Sequence, residues 1–284
     1  IFNLHTPPML RTFLKPKSVA ANVTVTKEYN GTAQSVNYSD LNALGIYGDT
    51  TGSLGNTTFG SQTNAGTAVI GYNDNSPNSL SALTWSGQDG VDYDDINFTI
   101  TPKNVSVSFA NPTKEYDGTA TASIANPTLT GLISSDSGSV SVSAASAAYD
   151  SKNAGTGKIV TYTGLTLAGD KAANYSLTNN AVKGTGTITQ KTLNASLEAI
   201  SKVYDGTTNA TAPTPTLTGV VDGDNVSVTA SGSYDSKNVG SRTVNYTLNL
   251  SGTDAANYSL SGTTTGAGTI TLRPVILTAE ATEI

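Results

Sequence analysis

The chain has 284 residues, of which 37% are hydrophobic and 13% charged, with a net charge of −6 and no cysteine. This composition is too apolar and too weakly charged for a disordered chain. Its fifteen Lys and Arg are scattered singly, so no basic patch points to nucleic acid, and without cysteine neither a disulfide framework nor a Cys-based metal site can form.

No run of about 18 apolar residues occurs, so no membrane insertion is expected. Ile1–Pro8 lacks the basic start and long apolar stretch of a signal peptide. The Val, Ile, Leu and Tyr residues fall in short alternating runs, which suits half-buried strands and small cores.

Lys114-Glu115-Tyr116-Asp117-Gly118-Thr119 returns as Lys202-Val203-Tyr204-Asp205-Gly206-Thr207, and in looser form as Lys27-Glu28-Tyr29-Asn30-Gly31-Thr32. The tyrosines lie 87 and 88 residues apart (29 to 116, 116 to 204), the signature of a repeat array. A second phrase sets the boundaries: Ile100-Thr101-Pro102-Lys103-Asn104-Val105 matches Ile188–Leu193 and Ile270–Val275, and Leu14–Val19 fits the same frame. The chain divides into 1–17, the tail of a preceding module; three modules at 18–102, 103–190 and 191–273; and 274–284, the first strand of a following module. Junctions without Gly/Ser or Pro-rich spacers favour restrained neighbours in an extended rod.

Within a module, an alternating strand opens (Val105–Phe109, or Val23–Val25). The Tyr-Asp/Asn-Gly phrase follows, and Asp-Gly and Asn-Gly predict a hairpin turn. Next come a strand such as Val140–Ser143 or Val226–Thr229, then a second marker. That marker reads Tyr149-Asp150-Ser151-Lys152-Asn153-Ala154-Gly155, recurs as Tyr234–Gly240 with Asn238 at the same place, and is faint at Phe59–Gly66. In the strand after it, Val244, Tyr246, Leu248 and Leu250 share one face. Val160 and Tyr162 are followed by Gly164, Leu165 and Leu167, so a β-bulge is predicted at Gly164. The module closes on Ala-Ala-Asn174-Tyr175-Ser-Leu or Ala-Ala-Asn257-Tyr258-Ser-Leu, with one helical turn expected over Gly169–Asn174, and then a Thr-Ile-Thr strand. Module one has Asp92–Phe98 there and is a divergent relative.

Chemistry-bearing groups are few. A nucleophile needs a base, and the single histidine, His5, sits beside prolines in the module remnant. Asp222 with Asp224, and Asp92 with Asp94 and Asp95, are the candidate paired carboxylates, but both groups fall in turns, where Asp caps backbone amides. No EF-hand spacing and no phosphate-cradling loop occurs, so no catalytic residue, metal or cofactor is expected. Lys27, Lys114 and Lys202 each precede the repeated tyrosine by two residues, which puts both on one face of a strand. The expected role is a Lys stem packed on that ring, and a Lys–Asn isopeptide cross-link is the alternative. Asn22, Asn56, Asn104, Asn174, Asn225 and Asn249 open Asn-x-Ser/Thr triplets, with Asn174 and Asn257 expected to serve the repeated turn. Trp85, the only tryptophan, is either a core residue or a ring that stacks on a sugar.

These phrases resemble the YDG and MBG-type repeat modules of large bacterial surface adhesins, many of them filamentous-haemagglutinin-like proteins exported by two-partner secretion. Modules two and three carry Lys-x-Tyr-Asp-Gly-Thr, Tyr-Asp-Ser-Lys-Asn-x-Gly and Ala-Ala-Asn-Tyr-Ser-Leu, whereas module one is closer to the MBG type. The resemblance implies an all-β array, with an Ig-like sandwich or a β-grasp layout in each module, at the bacterial cell surface or secreted. A β-helix would need a repeat of about 20 residues, and only the long period is present. The expected function is structural and adhesive: extending and presenting a larger adhesin for cell–cell or surface attachment and biofilm, with neighbouring modules as partners. The alternative is a carbohydrate-binding module centred on residues 18–102, where Trp85 would meet polysaccharide or host glycans.

Overall fold

The computed structural model describes residues 24–37, 39–40, 58–70, 96–125 and 127–278. The readings made for 1–17, His5, Trp85, Asp92 to Asp95, Asn22 and Asn56 lie outside these residues. The fold is all-β, as the alternation predicts, with short strands in several small sheets.

The compact units follow a different division from the sequence period. Unit one gathers Ile1–Ser108, Pro127–Ala145 and Thr163–Val182, and unit two gathers Phe109–Asn126, Ser146–Tyr162 and Lys183–Ile284. Repeat two therefore contributes to both. Residues 103–108, 127–145 and 163–182 form its cap half, and 109–126, 146–162 and 183–190 its socket half.

In unit one, Ile96–Thr101 is the central strand of a three-stranded sheet, with Thr24–Glu28 parallel to it and Gly66–Ile70 antiparallel. Gln34–Asn37 pairs with Thr58–Gln62. Together these strands are the socket half of repeat one. The cap half of repeat two adds Lys103–Ser108, flanked by Tyr175–Leu177 in parallel and Thr128–Thr130 in antiparallel, and the pair Ser141–Ser143 with Thr166–Ala168. Alternation turns Val105 and Val107 inward. One core runs through both halves, since Val25, Val36, Phe98 and Ile100 cluster with Val105, Val140 and Tyr175. Each such side chain contributes about 1.5–3 kcal/mol on burial, so apolar packing already binds repeat one to repeat two. Thr24–Glu28 is thus not the counterpart of Lys103–Ser108, as the sequence reading placed it. Like Thr113–Glu115 it runs parallel to the last strand of its own repeat, because it is the segment that leads into the tyrosine phrase.

Unit two repeats the plan. Its first sheet has the order Ser146–Tyr149, Gly155–Thr163, Ala181–Thr189, Thr113–Glu115. The cap half of repeat three supplies Lys191–Thr192 paired with Tyr258–Ser259, and Asn194–Ser196 paired with Thr216–Thr218. A five-stranded sheet follows, in the order Ile200–Val203, Thr263–Thr271, Gly240–Ser251, Ser227–Tyr234, Asn209–Ala210. Val244, Tyr246 and Leu248 are buried and Leu250 is half-buried, all on one face as predicted.

The Asp-Gly and Asn-Gly phrases do not make hairpins. Ile200–Val203 and Asn209–Ala210, on either side of Asp205-Gly206, pair with different strands at opposite edges of the sheet. Side chains rather than a cross-strand ladder satisfy this turn, as described below.

At Gly164 the chain breaks the strand with φ +65°, and the Ala145 amide donates to both Thr163 O and Gly164 O, at 2.9 and 3.2 Å. The irregularity lies where the sequence predicts it, but it is two-sided. The buried positions shift parity in both strands, from Tyr162 to Leu165 and from Ala147 to Val142. Matched gains keep Val142 opposite Leu167, whereas an extra residue in one strand alone would slip the register.

A Cβ at Gly164 would lie 2.6 Å from the Ala145 Cβ, whereas one at Gly157, also at positive φ, meets nothing within 4 Å. Gly157→Ala is expected to lose about 1–2 kcal/mol, the backbone cost alone. Gly164→Ala should lose a further 1–3 kcal/mol, roughly, from overpacking. Denaturant melts of the two variants measure the difference.

Candidate functional site

Each tyrosine phrase is a turn built by its own side chains. Asp117 Oδ1 accepts from the Thr119 amide at 2.9 Å and from its hydroxyl at 2.8 Å, while Gly118 takes φ +80°, a conformation open to glycine without steric cost. Lys114 Nζ donates to Asp117 Oδ1 and to Thr119 O, both at 2.8 Å. Lys202, Asp205, Gly206 and Thr207 repeat this arrangement. There the Asp205 carboxyl falls to about 2, chiefly through the Thr207 amide and then the Lys202 ammonium. In repeat one, Asn30 accepts from the Thr32 amide, Gly31 has φ +80°, and Lys27 turns to Ser35 O and Asp40.

Lys114 and Lys202 place their ammonium groups over a different ring from that of the tyrosine two residues on. Lys114 Nζ lies 5.8 Å from the centre of the Tyr149 ring and Lys202 Nζ 5.2 Å from that of Tyr234, so each covers the second marker of its own repeat. The repeated tyrosine points elsewhere. The oxygen neighbours of these ammonium groups are Asp, Thr and main-chain atoms, and an Asn carboxamide for a cross-link is not among them.

The tyrosine ring is the core of a joint between consecutive repeats. Tyr116 Oη donates to Asp224 Oδ2 at 2.7 Å, and Tyr258 Oη donates to the same oxygen at 2.6 Å. Unit one has the same arrangement: Tyr29 Oη and Tyr175 Oη both donate to Asp136 Oδ2, at 2.8 and 2.6 Å. The paired rings meet edge to face at 5.3 and 5.4 Å. Behind them the Val221 amide donates to Tyr258 Oη and the Ile133 amide to Tyr175 Oη. The Asp136 carboxylate is buried and the Asp224 side chain is 4% exposed. Hydroxyl bonds to an ionised acceptor are short and roughly twice as strong as neutral ones, and they make burial of this charge tolerable.

A second contact runs beside the first. Asn257 Oδ1 accepts from the Ala154 amide at 2.8 Å, and its Nδ2 donates to Asn153 Oδ1 at 3.4 Å. Asn174 makes the same pair of bonds to Ala65 and Asn64, at 2.7 and 3.1 Å. Both asparagines are buried and lie in the 3-10 turns Ala172–Asn174 and Ala255–Asn257, the first of which is the helical turn that the sequence predicts. They grip the second marker of the preceding repeat, whose Gly155 opens the next strand just as Gly240 does in repeat three. In unit two a cation is added: Lys152 Nζ sits 2.9 Å from Asp224 Oδ1 and over the Tyr116 ring. Repeat one has Thr63 at that place.

Tyr29, Tyr116, Asn174, Tyr175, Asn257 and Tyr258 thus meet at two joints, Tyr149 and Tyr234 are buried in the sheets, and the phrase of Lys202, Tyr204, Asp205 and Gly206 belongs to neither joint. Sequence reasoning assigned Asp222 and Asp224 to turn capping and did not single out Asp136. Asp224 is instead the centre of the joint. A signal was present, for both aspartates fall twenty residues after the repeated tyrosine (116 to 136, 204 to 224). Among the described residues no group of three or more His, Asp or Glu could hold a metal ion.

Hydrogen bonds from Tyr175 above all, against the opposing effect of burial, hold the Asp136 carboxyl below its ordinary value. Burial pushes the Asp224 carboxyl up, but bonds from Tyr258, Tyr116 and Lys152 outweigh it and leave it lowered. Burial, then the neighbouring carboxylate, pushes Tyr175 and Tyr258 up to about 12. The acceptor stays ionised and the donors stay protonated, which is the chemistry of a clamp.

Asp224→Ala strands two buried hydroxyls at roughly 1–3 kcal/mol each, so a loss of about 2–5 kcal/mol is expected in denaturant melts. Tyr116→Phe should lose about 1.5–3 kcal/mol, one bond to a charged group. The pH dependence follows from the shifts. The aspartates have folded pKa values below their unfolded ones, so their contribution is complete above about pH 5 and drains as pH falls through the folded values. The tyrosines are raised, so theirs is complete below about pH 9 and is lost as pH climbs towards 12. Unfolding midpoints should form a plateau between these limits, and Asp224→Asn should make the acid limb of unit two shallower, with Asp117, Asp150 and Asp205 supplying the remainder.

No curated protein sequence matches the chain. The family model of the YDG domain matches residues 101–182 and 189–266, and both stretches contain the joint aspartate together with its Asn-Tyr partner. Since they cover more than half of the sequence, the chain belongs to the YDG domain family and carries two copies of the domain in tandem.

Proposed function

We propose that this chain is a structural, adhesive repeat region of a large secreted or surface-anchored bacterial adhesin. It extends and presents that adhesin for cell–cell or surface attachment and biofilm, without catalysis and without a cofactor. The observation that carries this reading is the shared carboxylate: tyrosines from two consecutive repeats donate to one buried oxygen. A pull along the chain cannot separate neighbours without breaking that contact and the core beside it. YDG membership supports the reading, and so does a cysteine-free sequence, which suits export of a long chain before folding. The partners of each repeat are then its neighbours, and the place of action is the bacterial surface.

The test pulls the whole chain from its two ends and, separately, presents it to a panel of bacterial exopolysaccharides and host glycans. The expected outcome is an unfolding force that drops in the Asp136→Asn/Asp224→Asn double variant, with no saturable glycan binding. An unchanged force together with saturable glycan binding would move the function to carbohydrate recognition.

A further inference from the structure

The third tyrosine phrase has every part of the joint that its own repeat can supply. Lys202, Asp205 and Thr207 form the same turn, and Gly206 has φ +82°. The partners that cap the other two phrases have no counterpart here among the described residues. Tyr29 and Tyr116 are 1% exposed, whereas Tyr204 is half-buried and its hydroxyl has no partner among the described residues. A Cβ on Gly31 would meet Ile133 at 3.1 Å and one on Gly118 would meet Val221 at 2.9 Å, both on the next repeat; one on Gly206 meets nothing within 4 Å. The amides of Ala65 and Ala154 are held by Asn174 and Asn257, but nothing among the described residues holds the equivalent Val239 amide. Lys237, the counterpart of Lys152, stands exposed.

The adjoining segment tells the same story. Val275 falls where Val105 and Leu193 fall in the earlier repeats. Those two are 1% and 2% exposed, whereas Val275 is 84% exposed and Leu277 93%. Lys103 and Lys191 pair in parallel with Tyr175 and Tyr258, whereas Leu272–Thr278 has no strand partner among the described residues. Tyr204, Asn238, Val239, Leu272, Pro274 and Val275 line one open groove.

We infer that this groove is a receiving socket for the cap half of a further repeat of the same kind. The geometry of the two filled joints specifies the occupant. It brings an aspartate on a turn to accept from Tyr204 Oη and Lys237. It also brings an Ala-Ala-Asn-Tyr phrase, whose Asn accepts from the Val239 amide and whose Tyr strand pairs with residues 273–275. The inference concerns what the socket binds and stands whether or not the adhesive role proposed above holds.

The test lengthens the chain with a copy of its own residues Leu197–Arg273 placed directly after Thr278, which keeps the repeat in register. In the lengthened chain, hydrogen exchange at the Val239 amide is expected to slow by about tenfold or more relative to the 284-residue chain. Tyr204→Phe should lower the unfolding midpoint of the lengthened chain and leave that of the original unchanged. Tyr116→Phe, which should lower both, serves as the control. If the added copy is protected from exchange while Val239 and Tyr204→Phe behave as before, the socket does not take a cap half. An added copy that stays unfolded overturns the inference equally, since its first strand is the segment that should dock there.

Discussion

One oxygen atom of one aspartate governs how this chain is put together. A carboxylate away from water needs donors on its lone pairs, and here two phenols supply them to Oδ2, one phenol from each of two successive repeats. Neither repeat can satisfy that charge alone. The edge-to-face rings, the amide behind the second phenol and the Asn grip are arranged around this requirement, and the two examples agree closely in distance and angle. Where an apolar interface tolerates sliding, a shared charge-assisted bond tolerates little, because its strength depends on alignment. The joint thus sets register between repeats as well as contributing stability.

The two joints differ at the second carboxylate oxygen. Asp224 Oδ1 has the Lys152 ammonium at 2.9 Å, whereas Asp136 Oδ1 accepts from the Ser135 hydroxyl at 3.4 Å and the charge of Lys171 acts on it without a direct ion pair. The unit-one joint relies on the apolar cluster that continues from repeat one into Val105, Val140 and Tyr175. Coupling between neighbours in a repeat array behaves as a sum of nearest-neighbour interface energies. A change in one joint therefore alters one link and leaves the others at their own strength.

Much of this organisation was legible in the residues. The period, the strands with alternating valines and leucines, the 3-10 turn that ends on Asn174 and the break at Gly164 all rest on local chemistry, which a single sequence carries. The Asp-Gly turn was misread because dipeptide signals report backbone preference, and here the Asp117 carboxylate and Lys114 ammonium satisfy the turn without a cross-strand partner. The lysine and ring pairing was misread for a related reason. Two residues on one face of a strand are adjacent only if both side chains stay there, and Tyr116 is drawn away towards Asp224. The joint itself was hidden because its members lie more than a hundred residues apart, as with Tyr116 and Asp224. Asp136 and Asp224 also sit in polar turns, where any aspartate looks ordinary. Only their constant offset from the tyrosine distinguished them.

Repeat two presents a cap to repeat one and a socket to repeat three, and these two faces are interleaved along the sequence rather than placed end to end. Duplication of a stretch one period long, begun at any phase, inserts one of each. The new aspartate meets a tyrosine already shaped to receive it, and the new tyrosine meets the aspartate that its predecessor had served. An array built on this plan grows or shrinks by whole periods without redesign of any contact, so its number of joints is set by copy number in the gene rather than by the chemistry of the fold.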